Sequence, residues 1–302
     1  MPTPRVSVII VNWNRREAVR ETLDSLERTT YPSHEFIVID NGSTDGSAED
    51  LARLEGIRLI RRSRNLGPAR ARNIGLIASQ GEYILFVDSD SLVSRRCLER
   101  LVSRMDSDPD IGIIGCKIVN PFNRAVDQWI YSEPETTHAR REFETYSFSA
   151  AGALVRTEAI RKAGGFWGAL FIYNEELDLS IRVLRAGFKI LYAPYARVFH
   201  RHLERGTEKS RLYWHYQIRN HIWIFFRYYP WPICWWMIAM YASVYVIKAL
   251  ASRQLGACLS GIVAGVRRRK IISRYRDKLT ARERHRLRIL NRRTSIRLRC
   301  PV

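Results

Sequence analysis

Acidic residues are scarce in this chain. Its 302 residues include 30 Asp+Glu against 50 Lys+Arg, a formal charge of +20. The shortage is uneven. Positions 267–302 hold 15 Lys/Arg and 2 acids, a net +13, which leaves +7 for residues 1–266. Such a basic end is drawn to anionic lipid or to nucleic acid. Cysteine is also sparse. Cys97, Cys116, Cys234, Cys258 and Cys300 form no CxxC and no Cys/His cluster. That excludes a zinc ribbon or a disulfide framework, and free thiols in a reducing compartment are expected. No Walker A and no GxGxxG is present, which excludes a P-loop NTPase or a dinucleotide enzyme of that type. The first residues lack a signal peptide's long apolar core and small-residue cleavage site, so a cytoplasmic catalytic domain is expected. There is no internal repeat and no low-complexity linker.

Alternation is abundant. Short runs rich in Val, Ile, Tyr and Phe at Val6–Val11, Glu35–Asp40, Ile57–Arg61, Tyr83–Asp88 and Ile111–Val119 read as strands. Helical stripes lie between them. Val19, Leu23 and Leu26 share one face, with Asn14 as the expected N-cap and Glu17 three residues on. Leu98, Leu101, Val102 and Met105 make another stripe. This order predicts a doubly wound, mostly parallel α/β sheet. Ligands bind such sheets beyond the carboxyl ends of the strands. The polar clusters fall there: Asn12-Trp13-Asn14, Asp40-Asn41-Gly42-Ser43 and Asp88-Ser89-Asp90.

Farther along, residues 121–147 read as a polar excursion, and Phe148–Arg156 as a strand broken at Gly152. Asn174 is expected to cap a helix from Glu175 to about Ala186, stopped by Gly187. Lys189–Ala193 and Ala196–His200 read as two short extended segments. Residues 228–247 are 20 positions without formal charge, containing Pro230, Pro232, Trp231, Trp235 and Trp236. A second uncharged stretch, 254–266, runs into Arg267-Arg-Arg-Lys270. The expected organisation is a catalytic domain over 1–220, an apolar, membrane-associated helical region over 221–266 and a basic tail over 267–302.

Chemistry can be attached to four places. Carboxylates two residues apart at a strand end, Asp88 and Asp90, suit a hard divalent ion, although a solvated turn uses the same residues. Asp40-Asn41 is either a tight turn or an acid–amide pair for a base or ribose. Asn65–Asn73 opens a helix with Gly67-Pro68, and a helix N-terminus with Arg70 and Arg72 attracts a diphosphate. Glu175, Glu176 and Asp178 crowd one helical turn, either to complement the helix dipole or to supply a general base with a raised pKa. His200 can complete a metal site.

These motifs occur in one order: Val6-Ser-Val-Ile-Ile-Val-Asn-Trp-Asn14, Asp40-Asn-Gly-Ser-Thr-Asp-Gly-Ser47, Asn65-Leu-Gly-Pro-Ala-Arg-Ala-Arg-Asn-Ile-Gly75, Asp88-Ser-Asp90, Ala150–Arg156, Gly164-Gly-Phe166, Asn174-Glu-Glu-Leu-Asp-Leu179 and Ala196–His200. Over residues 5–220 the chain resembles the family 2 glycosyltransferases, especially rhamnosyltransferase-like members. The resemblance implies a GT-A fold, a mixed sheet with a Rossmann-like nucleotide-binding half. It also implies inverting transfer from a nucleotide sugar (UDP- or dTDP-linked, dTDP-rhamnose among them) to a glycan or polyprenyl-linked acceptor in cell-surface polysaccharide synthesis. It places Val11, Trp13, Asp40 and Asn41 at the base and ribose. Asp88 and Asp90 fall at the diphosphate and a Mg²⁺ or Mn²⁺ ion, with His200 as a further ligand. Arg70 and Asn73 join the donor side, and Glu176 falls at the position of the general base, with Glu175 and Asp178 as the alternatives. Residues 228–247 are long enough to span a bilayer, and their prolines and tryptophans suit an interfacial segment at least as well. With the basic tail they imply peripheral or shallow attachment at the cytoplasmic face of the membrane, set against a buried C-terminal helix pair. The readings set against this are a basic nucleic-acid-binding protein, which leaves the acids without a role, and a sugar nucleotidyltransferase, which needs a Gly-rich phosphate loop absent after the first strand.

Overall fold

The computed structural model describes residues 6–127, 129–131, 133–201 and 211–292. Cys300 and the end of the basic tail, 293–302, lie outside them. Among the described residues the four cysteines are free thiols, and Cys97 and Cys116, separate in sequence, bring their Sγ atoms to 3.9 Å in the core.

Nine strands form one sheet: β1 Val6–Asn12, β2 His34–Asp40, β3 Ile57–Arg61, β4 Tyr83–Asp88, β5 Ser91–Val93, β6 Ile111–Val119, β7 Phe143–Glu144, β8 Gly152–Arg156 and β9 Lys189–His200. The order is β3-β2-β1-β4-β8-β6-β9-β5, with β7 against β9. The four strands β3, β2, β1 and β4 are mutually parallel, the expected doubly wound half. Beyond β4 the sheet is mixed. β8 runs antiparallel to β4 and β6, β9 is parallel to β6, and β5 reverses again beside β9.

Side chains of alternate strand positions enter two cores. Val8 and Ile10 face the helices Arg16–Glu27 and Cys97–Asp106, which bury Val19, Leu23, Leu26, Leu98, Leu101 and Met105. Ile9, Ile37 and Ile39 face the helices Pro68–Ala78 and Glu175–Arg185, and this core continues into the C-terminal helices. Each of these large apolar side chains contributes about 1.5–3 kcal/mol on burial.

Several local expectations change. The first helix begins at Arg16, not at an Asn14 cap. Asn14 is left-handed (φ 53°), and its Oδ1 accepts from Thr44 N at 2.8 Å. The helix end is capped from across the chain, because Arg16 N donates to Asp45 Oδ2 at 3.0 Å. The Phe148–Arg156 strand starts only at Gly152, where a Cβ would lie 2.7 Å from Val198 Cγ2. The two segments ending at His200 are one strand, and a bulge at residues 194–196 interrupts its register with β6. Pro194 has no N–H to give the ladder there. The helix Glu175–Arg185 follows Asn174, but Asn174 makes no side-chain cap and instead donates to Gln217 O at 3.2 Å.

Five C-terminal helices, the short Arg269–Ser273 among them, complete the described residues. The helix Arg211–Tyr228 runs unbroken through positions 220 and 221, carries the helices Trp231–Ala251 and Leu255–Arg267 on its outer side, and precedes Ala281–Arg292. Among the described residues, Trp231–Ala251 is the one helix long and apolar enough to cross a membrane.

Candidate active site

Strand register assembles the donor side. Asn12 pairs with Asp40 across β1 and β2, and Val11 pairs with Asp88 across β1 and β4. The polar residues that follow each apolar run therefore stand level on one sheet edge. Asp40 and Asn41 are buried there, and both side chains are engaged. Asp40 accepts from Asn12 Nδ2 at 3.3 Å and from Ser43 N at 3.1 Å. Asn41 accepts from Leu66 N and donates to Asn65 Oδ1, both at 3.0 Å. The pair thus ties the Asp40 turn to the loop that opens the helix Pro68–Ala78. Val11 is partly buried, while Trp13 projects from the edge, 44% exposed.

Asp88, Asp90 and His200 come together. β5 lies antiparallel to β9 with Ser91 opposite His200, so the end of β9 is laid over the Asp88–Asp90 turn. Arg201 N closes the arrangement by donating to Asp90 O at 2.9 Å. His200 Nε2 is 3.1 Å from Asp90 Oδ1 and 4.0 Å from Asp88 Oδ2. One donor atom from each of the three residues lies within 4.8 Å of the others. Two carboxylates and an imidazole are a hard donor set that fits Mg²⁺ or Mn²⁺. Without a metal the three are a charge cluster. Burial lowers the His200 pKa, but Asp127, Asp90 and Asp88 outweigh it and lift the value to about 10. Burial raises Asp90, and His200 and Arg15 hold it below the usual range.

The acids of the Glu175–Arg185 helix separate into two groups. Glu175 and Glu176 point toward Arg72, which is buried in the helix Pro68–Ala78. Arg72 donates to Glu175 Oε1 at 3.0 Å, lies 3.9 Å from Glu176 Oε1 and stacks on Phe166 at 5.5 Å. Its other nitrogen donates to Asp88 Oδ1 at 3.0 Å. One guanidinium thus joins the strand-end acid to the helical pair. Burial pushes Glu175 up to about 8, Glu176 adds to this, and Arg72 opposes it. Burial also raises Glu176, again against Arg72. Glu175 is enclosed, whereas 23% of the Glu176 side chain is open.

Asp178, the third of the candidate bases, does not join them. It is fully buried and held by other partners. Arg182 holds Oδ2 at 2.5 Å, while Arg227 at 3.1 Å and the Tyr228 hydroxyl at 2.7 Å hold Oδ1. A carboxylate so paired is a structural tie.

The basic helix also divides. Arg70 is exposed, with Nε donating to Gly168 O at 3.2 Å. Asn73 bonds both the N–H and the C=O of Phe166 at 2.8 Å and so fixes the Gly164-Gly-Phe166 turn. Arg72, inside the same motif, is the cation that reaches the acids. Its position on the buried stripe with Ala69, Ala71, Gly75 and Ala78 is the sequence signal that marks it. Two further residues carried no such signal. Asp127 Oδ2 lies 3.5 Å from His200 Nδ1. Asn220 donates to Leu170 O, Ile172 O and Tyr173 O at 3.0, 2.8 and 2.6 Å. It thereby holds a loop in which Phe171, Tyr173 and Asn174 all have positive φ, immediately before Glu175.

A family model for "Glycosyl transferase family 2" matches residues 7–169. The Pre-mycofactocin glycosyltransferase of Mycobacterium tuberculosis is 30% identical over 212 residues, covering 65% of this chain and 43% of that protein. Among solved structures, the mannosyltransferase PcManGT from Pyrobaculum calidifontis, in complex with GDP-Man and Mn²⁺, superposes with a TM-score of 0.60. It is 20% identical, over 90% of this chain and 84% of that one. S. aureus TarS 1–349 in complex with UDP-GlcNAc gives a TM-score of 0.54 at 19% identity, over 72% and 65% of the two chains. These likenesses show the fold, a mixed α/β sheet matching GT-A glycosyltransferase structures. The chain spans only about two-fifths of the curated relatives it matches, 38% and 43% of their lengths. The matched residues 7–169 include the level strand ends, the Arg72 helix and the Asp88-Ser-Asp90 turn, and by that match the chain belongs to glycosyl transferase family 2.

Proposed function

We propose that the chain transfers a sugar from a nucleoside-diphosphate sugar to a hydroxyl of a glycan or lipid-linked acceptor, with inversion and with a divalent cation. The observation that carries this is the Arg72 link, which holds the Asp88–Asp90–His200 donor set beside the Glu175–Glu176 pair. A donor-side metal set and a raised-pKa acid pair side by side suit a displacement at the sugar carbon.

On this reading Glu176 is the base. It is the partly open acid of the pair, and burial raises its pKa. It takes the acceptor proton as the acceptor oxygen attacks C1. Glu175 stays enclosed and anchors Arg72. Asp88, Asp90 and His200 would hold Mg²⁺ or Mn²⁺, whose charge would offset that of the departing nucleoside diphosphate. Trp13 offers an exposed aromatic face at the base end of the same sheet edge. The donor is a UDP- or dTDP-sugar, with dTDP-rhamnose first to be tried, and cell-surface polysaccharide is the product class. The UDP-GlcNAc and GDP-Man named with the two fold neighbours support a nucleotide-sugar donor without choosing one.

The test is a screen of nucleotide sugars for transfer and hydrolysis with Mn²⁺, with Mg²⁺ and with chelator. Turnover that needs the ion and disappears in Asp90→Ala is the expected result. Full activity of Asp90→Ala, or of Glu176→Gln, would overturn the respective assignment.

A further inference from the structure

The C-terminal helices raise a question that sugar transfer does not answer. The helix Trp231–Ala251 has one inward face, Cys234, Met237, Ile238 and Tyr241. The opposite face is apolar and uncovered. Trp236 is 62% exposed, Ile247 69% and Leu250 63%, and residues three and four apart on a helix share a side, so these form one stripe. The neighbouring helix Leu255–Arg267 adds Leu259 and Val263 at the same spacing. Both helices pack on Arg211–Tyr228 and on each other, so their outer sides make one surface. An exposed apolar surface on this scale marks an interaction site.

Its surroundings identify the partner. No charged residue lies between Arg227 and Lys248. The Leu259–Val263 row continues, four residues on, into Arg267, and Arg268, Arg269, Lys270 and Arg274 follow, all exposed. An apolar, Trp-bearing face bordered by cations matches the layering of an anionic bilayer, with hydrocarbon at the centre and phosphate at the rim. A second copy of the chain is a poorer match, because apposing two such faces brings two Arg267–Lys270 clusters together.

The packing also decides how the helix meets the bilayer. A spanning helix puts its two ends on opposite sides of the membrane. Here both ends stay on other C-terminal elements, which the helix Arg211–Tyr228 ties to the sheet domain through Asn220 and Tyr228. At the start, Arg276 stacks over Trp231 at 4.1 Å and donates to Tyr229 O. At the other end the chain turns at Ser252–Gln254 into Leu255–Arg267, which lies so close to Arg211–Tyr228 that a Cβ on Gly261 would be 2.4 Å from His215 O. We infer that the Trp231–Ala251 and Leu255–Arg267 pair is a monotopic platform, lying in the plane of one anionic leaflet with Trp236, Ile247, Leu250, Leu259 and Val263 in the acyl boundary and Arg267–Lys270 on lipid phosphates. The platform's supporting helix also carries Asn220, which holds the loop before Glu175, so the platform and that loop share one helix.

The experiment uses the full chain without donor or acceptor, so its outcome is independent of sugar transfer. Flotation is measured with phosphatidylcholine vesicles and with equimolar phosphatidylcholine and phosphatidylglycerol. The protein should float with the anionic vesicles. The variant Trp236→Ser/Ile247→Ser/Leu250→Ser should partition more than tenfold more weakly, and its circular dichroism should match the parent. Replacing Arg267–Lys270 by Gln should remove the preference for anionic lipid. In a Cys300→Ser background, Ser252→Cys should be labelled on the vesicles by an impermeant maleimide added from the side of the protein. Protection of that thiol would overturn the in-plane geometry in favour of spanning. Equal flotation of the triple-serine variant would overturn the apolar face and leave attraction by the basic tail alone. A lipid-indifferent dimer that the triple variant dissociates would reassign the face to a second copy.

Discussion

The Arg72 guanidinium donates to Asp88 Oδ1 and, through its other terminal nitrogen, to Glu175 Oε1, each at 3.0 Å. Residues 16 and 103 positions apart in sequence meet on one buried cation. Three acids, Asp88, Glu175 and Glu176, surround it, and they raise its own pKa despite burial.

Removing that cation affects charge as well as position. Arg72 lowers the pKa of both Glu175 and Glu176 against the upward push of burial. A base works deprotonated, so transfer should rise with pH through the acidic limb, and Arg72→Met should move that limb to higher pH. At neutral pH the rate should fall about 10²-fold, the scale of one lost electrostatic contact in a water-excluded site. A pH profile of kcat/KM for parent and variant checks both. An unmoved limb would separate Arg72 from the base.

Asp127 faces His200 from the side opposite the metal set. A carboxylate on Nδ1 fixes the tautomer that leaves Nε2 free to ligate. Asp127→Asn should weaken Mn²⁺ binding by about 10–100-fold with the melting temperature little changed. Titration of Mn²⁺ followed by electron paramagnetic resonance reads this without turnover. If the parent itself binds no Mn²⁺, the ligand set fails first.

Asp178 and Glu176 should part company under mutation. Asp178→Ala leaves Arg182 and Arg227 without their buried partner, a cost of about 3–5 kcal/mol. Glu176→Gln should fold as the parent does, still bind donor and lose transfer. Thermal melts alongside donor-binding and transfer assays distinguish a stability defect from a chemical one.

Asn220 gathers three carbonyls of the positive-φ loop. Asn220→Ala should cost about 1–3 kcal/mol for buried acceptors left unmade. It should also lower kcat more than it raises the donor KM, because the loop leads into the Glu175–Glu176 pair proposed to hold the base and not into the donor turn. Equal loss in both parameters would point to general loosening.

Much of this was legible in the residues themselves. β-branched runs ending in Asn, Asp or Asp-Ser-Asp give strands with polar tips, because a period of two and a turn-forming end are local properties. The ordered motifs gave the family and brought forward Asp88, Asp90, His200, Glu175 and Glu176. The structure then decided what depends on contacts across the chain. Whether Arg70 or Arg72 meets the acids is set by which side of the helix packs on the sheet. Asp178 is set apart from Glu175 and Glu176 because Arg227 and Tyr228, about fifty residues on, close over it. The mixed half of the sheet, the joining of β9 across Pro194 and the cross-chain cap of Asp45 on Arg16 are likewise non-local. The uncharged stretch at 228–247 gave length and composition, which do not by themselves separate a buried helix, a spanning helix and a surface helix. Only the return of Leu255–Arg267 onto Arg211–Tyr228 fixes which side of that helix is left open, because burial is a property of the neighbours and not of the segment.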